Sequence, residues 1–247
     1  MPALKIARVL RTLPPKESLR FFDYGCGEGK LLRSIGAART IEPFGADIKA
    51  PLRSDDFEFF LLPDSERELP KGSMDVVTSV DVLEHVENVE STLELIASLL
   101  RPGGLFCGFV PTEGEPLSLY QFYRVLLGND LYARTKDHVV AYRRRQFANY
   151  LRKRFDIVSL SYSYHVIGSA LDATFFALCR IPAVERWWWS SNAYYRPMAR
   201  PSLANRAMEA ANFLAYWESR WLSANPHFSV GLHFAATPRV SPSGGPR

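Results

Sequence analysis

Cysteine is scarce: Cys26, Cys107 and Cys179 are the only three in 247 residues. They are too few and too scattered for a disulfide framework or a zinc site. A reducing cytosol suits such usage, and cytoplasmic residence is the expectation. No uninterrupted apolar run reaches about 18 residues, so no segment reads as a spanning helix. Met1–Leu13 carries Lys5, Arg8 and Arg11 among its apolar positions. A secretory leader, which needs a long apolar core, is therefore not expected. Charge of one sign is also not in excess: 30 Lys and Arg against 26 Asp and Glu give +4 and a pI near 9.0. That balance falls short of a nucleic-acid-binding composition, so a nucleic-acid partner is not expected. Apolar residues are plentiful, at 47%. A chain of this length can bury a full core as one domain with an elaboration.

The most informative stretch is Phe21-Phe22-Asp23-Tyr24-Gly25-Cys26-Gly27-Glu28-Gly29-Lys30-Leu31-Leu32. It reads as a buried strand, a turn too tight for side chains, and a helix start. Glycines there let backbone approach a ligand closely, and the helix N-terminus adds free N–H groups. The spacing fits neither common nucleotide fingerprint. In G-x-G-x-x-G, Lys30 occupies the third glycine position; in a P-loop, Tyr24 occupies the upstream glycine and Leu31 the Ser/Thr. The next strand, Ile41–Lys49, ends in Asp47. A carboxylate about 20 residues beyond such a turn is placed to accept hydrogen bonds from ribose hydroxyls.

Further strands are expected at Phe57–Leu62, Met74–Val80 and Leu105–Val110, and an amphipathic helix at Val89–Leu100, stopped by Arg101-Pro102-Gly103-Gly104. Alternating strands and helices predict right-handed βαβ units and a parallel sheet with its ligand at the strand C-terminal ends. Phe155–Tyr164 and Phe228–Ala236 fit two later strands.

The run Asp23-x-Gly25-x-Gly27-x-Gly29 resembles motif I of class I S-adenosylmethionine-dependent methyltransferases. Asp81-Val82-Leu83-Glu84-His85-Val86, followed by Arg101-Pro102-Gly103-Gly104 before a strand, resembles their small-molecule, ubiquinone-type O-methyltransferase branch. The resemblance implies an α/β fold: a Rossmann-like, doubly wound seven-stranded sheet of order 3-2-1-4-5-7-6 with strand seven antiparallel. It implies S-adenosylmethionine as cofactor, held by Asp23, Gly25, Cys26, Gly27, Gly29, Asp47, Ile48, Asp64, Ser79 and Asp81. Asp64 would meet the adenine amino group, although Ser65, Glu66 or none of the three are readings left open. Asp81 would face the methionine moiety. His85 and His138 are candidate general bases, with Tyr142 as orienting partner; His85 also reads as a capping or packing residue. Asp81, Glu84, His85 and His138 resemble a magnesium site, with Asp81 in place of the usual glutamate and its shorter arm counting against coordination.

The implied organisation is a methyltransferase domain over 1–164 and 227–238, with a substrate lid at 111–154. A helical, Trp-rich insert at 165–226 lies between strands six and seven, and a Pro/Ser/Gly-rich tail at 239–247 is expected to be disordered. Arg143–Arg145 and Arg152–Arg154 read as a solvated basic face or as contacts for a phosphate-bearing or membrane-surface substrate. In the insert, Ile167, Leu171, Phe175 and Leu178 have helical spacing, and Trp187–Trp189 are flanked by arginines. Leu203, Ala207, Ala210, Leu214, Trp217 and Trp221 form an apolar seam that Ser202 can cap. The insert reads as a helical pair packed on the core or on a second subunit, or as a peripheral element at the inner face of a membrane. The implied activity is O-methylation of a small-molecule, lipid or glycan-precursor acceptor. The rival readings are RNA methylation and a catalytically silent cofactor-binding subunit that docks a partner through 165–226.

Overall fold

A computed structural model describes residues 2–127, 138–178, 181–184 and 203–239. Its centre is a seven-stranded sheet: β1 Leu19–Tyr24, β2 Ile41–Asp47, β3 Glu58–Leu61, β4 Met74–Val80, β5 Leu100–Pro111, β6 Phe155–Ser163 and β7 Gly231–Pro238. Spatial order is β3-β2-β1-β4-β5-β7-β6, with β7 antiparallel, as the resemblance implied. The helices are α1 Pro2–Thr12, α2 Lys30–Gly36, α3 Val89–Leu99, α4 Leu119–Leu127, α5 Arg144–Arg154, α6 Val166–Leu178 and α7 Leu203–Trp221. Trp187–Trp189, Ser202 and the tail beyond residue 239 lie outside the described residues.

The chain divides into two compact units. One holds 5–110, 144–160 and the chain from 233; the other holds 1–4, 111–143 and 161–232. In the first, the sheet unit, β1 pairs in parallel with β2 and β4, so Asp23 lies opposite Gly45 on one side and Thr78 on the other. Leu19, Phe21, Phe22, Val76 and Val77 are wholly buried. Near-continuous apolar runs of this kind are what a parallel strand covered on both faces requires. Phe106 packs on Phe155 and Phe234 at centroid distances of 5.1 and 4.9 Å, joining β5, β6 and β7. Lys153 and Arg154 of α5 pair with Glu90 and Glu94 of α3 at 2.7 and 2.9 Å. Part of the basic flank is therefore engaged in surface ion pairs within this unit.

Two strand starts differ from expectation by three residues or more. β5 begins at Leu100, so Arg101–Gly104 forms strand as well as stopping the helix. A register shift between Met74 and Val76 accommodates it, and a side chain at Gly104 would press on the Met74 carbonyl at 2.9 Å. β7 begins at Gly231, because Phe228 has a left-handed backbone (φ 58°) and Ser229 N–H turns back to the Pro226 carbonyl.

In the second, helical unit, α4 and α7 both pack on α6. Tyr120, Ala173 and Val230 form a small core. The Glu218 carboxylate accepts hydrogen bonds from Ile167 and Gly168 N–H at 2.7 and 2.9 Å and so caps α6.

At the N-terminal ends of the central strands, Asp75 is buried and gathers three segments. It accepts from the Lys16 ammonium (2.7 Å), Arg20 N–H (2.9 Å) and the Arg101 guanidinium (2.5 Å). Burial alone would raise this carboxyl, yet the two cations and the backbone donor hold it below its ordinary value. Asp75→Ala removes the acceptor shared by the Arg20 N–H and two half-exposed cations, and is expected to destabilise the chain by about 1–2 kcal/mol in urea melts. A loss below about 0.5 kcal/mol would contradict this anchoring role.

Candidate functional site

The C-terminal ends of β1, β2 and β4 bring the sequence-predicted residues of the sheet unit together. After β1 the chain folds back on β2: Gly25 and Cys26 N–H both donate to the Ala46 carbonyl, at 2.7 and 3.0 Å. One step further, Gly27 N–H donates to Asp47 Oδ2 at 2.8 Å, while Lys49 N–H reaches Asp47 Oδ1 at 3.2 Å. The glycine turn and the acid are thus one structural feature. Leu62 N–H donates to the Asp47 carbonyl at 2.8 Å, tying the end of β3 to the same point.

The glycines do different work. A β-carbon on Gly25 would lie 2.2 Å from the Val82 side chain, and one on Gly29 would lie 2.6 Å from Phe57. Gly27 has nothing within 4 Å of that position. Packing demands the first two, whereas Gly27 opens its backbone toward free space. Such a cradle fits a ligand that comes close to the chain.

Asp23 is buried, accepts from Thr78 Oγ1 at 2.8 Å and feels the Asp47 charge. Burial is the largest influence and, with the Asp47 charge adding to it, raises the carboxyl to about 7, against the opposing pull of the Thr78 hydrogen bond. Burial likewise pushes up the Cys26 thiol, which is neutral at physiological pH. Asp81 has a left-handed backbone (φ 58°), and its carboxylate is ion-paired with Lys5 of α1. The Lys5 ammonium also lies 4.1 Å from the centre of the Phe109 ring. Ser79 Oγ is buried and has no hydrogen-bond partner among the described residues. Ile48 and Asp64 are exposed.

His85 is exposed, in a turn closed by its own N–H on the Val82 carbonyl, and its Nε2 lies 4.0 Å from an oxygen of buried Glu84. Of the four residues resembling a magnesium site, Asp81 is engaged by Lys5, and His138 belongs to the helical unit. There, His138 Nδ1 lies 2.9 Å from Glu113 Oε2, with both side chains largely buried. Tyr142, expected as the orienting partner, is buried in the same unit, where its carbonyl accepts from Gly114 N–H at 2.9 Å. The carboxylate on the His138 ring is Glu113.

Sequence reasoning missed Lys5 and Glu113. Glu113 carried a usable signal, since it directly follows the end of a parallel strand, where open α/β sheets bind ligands. Lys5 carried none; it is one of several cations on an amphipathic helix.

A family profile described as a methyltransferase domain matches residues 1–160. A curated relative, the ubiquinone biosynthesis O-methyltransferase of Parvibaculum lavamentivorans, is 30% identical over 121 residues, covering 45% of this chain and 47% of its own. The chain spans about half the length of the curated relatives it matches. Among solved structures, an S-adenosylmethionine-dependent methyltransferase from Archaeoglobus fulgidus superposes with a TM-score of 0.54 at 16% identity, covering 95% of this chain and 92% of its own. The [4+2]-cyclase SpnF superposes with a TM-score of 0.61 at 15% identity, covering 96% and 80%. At such identities these structures share the fold.

The raised Asp23 carboxyl has a consequence for stability. Folding binds a proton there, so the group's contribution is fully present below its unfolded value near 4 and is lost as pH rises through about 7. Asp23→Asn removes that dependence. In urea melts the variant is expected to gain on the wild type between about pH 5 and about pH 8, by on the order of a few kcal/mol. Parallel stability curves would contradict it.

Proposed function

The chain belongs to the methyltransferase-domain family, and we propose that it is an S-adenosylmethionine-dependent methyltransferase acting on an oxygen of a small-molecule, lipid or glycan-precursor acceptor. The observation that carries this reading is the Asp47 carboxylate bonded to Gly27 N–H at the edge of an open backbone cradle. The names of the curated relatives support oxygen as the acceptor atom.

The residues present fit the cofactor. Asp47 offers two carboxylate oxygens to ribose hydroxyls in exchange for the two backbone donors it now accepts. Gly27 admits the ligand close to the chain. Asp23, poised near neutrality by burial, is drawn to its ionised form by a cationic ligand nearby. Cys26, Ile48, Asp64, Ser79 and Asp81 complete the proposed set. When bound, S-adenosylmethionine supplies an electrophilic methyl group on a sulfonium.

The protein then has to orient the acceptor, keep water away and take up the hydroxyl proton. His138 is proposed for the last role. With Glu113 holding Nδ1–H, the lone pair of Nε2 is the proton acceptor, and the carboxylate stabilises the imidazolium that forms. His85 is proposed as a secondary candidate and Tyr142 as a supporting residue.

Transfer of labelled methyl from S-adenosylmethionine to a panel of prenylated phenols and catechols tests the reading. Turnover is expected with the wild type. Glu113→Gln is expected to lower kcat by about tenfold to hundredfold, and His138→Ala by more, with the KM for S-adenosylmethionine little changed. Full activity in both variants would remove the base assignment, and methyl transfer confined to nitrogen acceptors would remove the oxygen assignment.

A further inference from the structure

The turn between β1 and α2 sets two glycines around one side chain, Gly27-Glu28-Gly29, with both glycines in left-handed backbone at φ 49° and 72°. Glycine has more conformational freedom to lose than any other residue. A turn built this way is ready for a ligand only if something else holds its peptides. Gly27 N–H is held by Asp47. The Glu28–Gly29 peptide is held at both ends: its N–H donates to the Cys26 carbonyl at 2.9 Å, and its carbonyl accepts from Arg33 Nη1 of α2.

The same guanidinium reaches the segment between β2 and β3. Its Nε and Nη2 take the two oxygens of Asp56 as a fork, at 2.6 and 2.9 Å, and Nη2 also donates to the Arg53 carbonyl at 3.1 Å. Glu28 answers from the turn, where its carboxylate accepts from Leu52 N–H at 3.1 Å. Arg33 and Glu28 thus fasten a stretch that forms neither helix nor strand to the glycine turn. All of these residues belong to the sheet unit.

Overall stability is a poor explanation for the clamp. The Arg33 and Asp56 side chains are 40% and 44% exposed, and ion pairs of that kind add little. Its geometry is more telling: a planar fork can grip a carboxylate and still serve two carbonyls, which an ammonium cannot do. The fastened segment starts at Ile48, directly after Asp47, and holds Ile48 and Leu52 in solvent. Within the sheet unit, Val158 is the one other large apolar side chain so exposed among the described residues. Apolar side chains beside a ribose acid suit the flat apolar face of a nucleoside base.

We propose that Arg33 is a positioning residue for the cofactor. It fixes the glycine turn and the segment 48–56 against each other before the ligand arrives, so that binding carries less of their ordering entropy. The inference rests on the cofactor reading given above.

Calorimetric titration with S-adenosylmethionine, urea melts and amide hydrogen exchange on the unliganded chain test it together. Arg33→Met is expected to weaken binding at least about tenfold, with the urea midpoint little changed and exchange quickened across 25–29 and 48–57. Arg33→Lys, which restores the charge without the fork, is expected to recover only part of the affinity. A merely structural role would lower the urea midpoint and leave the affinity of the folded variant intact. Wild-type affinity in folded Arg33→Met, unaltered exchange, or full recovery with lysine would overturn this proposal alone. A folded wild type that binds no S-adenosylmethionine would remove it together with the cofactor reading.

Discussion

The hydrogen bond from Gly27 N–H to the Asp47 carboxylate joins the two segments on which the candidate site depends. It forms because parallel pairing sets Asp23 and Tyr24 beside Gly45 and Ala46, so the turn after β1 emerges next to the end of β2. The Ala46 carbonyl fixes the first two amides of that turn, and the third meets Asp47. Cys26 fills the small space that Gly45 leaves, where a side chain would lie 2.8 Å from its sulfur. The glycine turn, the packing beneath it and the acid are therefore mutually dependent. Local conformation and sheet register specify the same arrangement.

The opposite ends of the strands are held by different means. Asp75 draws Lys16, Arg20 and Arg101 around a buried carboxylate, tying β1, β4 and β5 where no ligand is expected. One end of the sheet is thus closed by satisfied charge. At the other, Asp23 is buried with its carboxyl raised to about 7, Asp81 is in a left-handed conformation, and the Ser79 hydroxyl has no partner among the described residues. Departures from ordinary geometry and ionisation of this kind concentrate where a chain binds or reacts. In the helical unit, the Glu113–His138 pair shows the same concentration of buried polar chemistry.

Much of this was legible from residue order. Alternating apolar strands and amphipathic helices, punctuated by Gly25–Gly29 and Arg101–Gly104, were enough to anticipate a parallel sheet and the helical additions; the strand order came from the resemblance to class I methyltransferases. Asp47 was legible because its distance from the glycine turn is set by one βαβ unit. Pairings between distant segments were not. Lys5 meets Asp81, and Glu113 meets His138, through tertiary placement that no local pattern encodes. Boundaries shifted where backbone conformation overrode pattern. Phe228 looked like strand by side-chain type, but its left-handed φ makes it a turn.

The central claim is that the Gly27–Asp47 junction is a cofactor site, and calorimetric titration with S-adenosylmethionine tests it most directly. The wild type is predicted to bind in the micromolar range and to ignore NADH. Asp47→Ala is predicted to weaken binding at least about tenfold, through loss of charge-assisted hydrogen bonds. Gly27→Ala meets no neighbour but strains a left-handed backbone (φ 49°) at a cost of about 1 kcal/mol, and is predicted to weaken binding in a variant that still folds. A folded wild type that binds no S-adenosylmethionine, or variants that bind it as tightly as the wild type, would contradict the account.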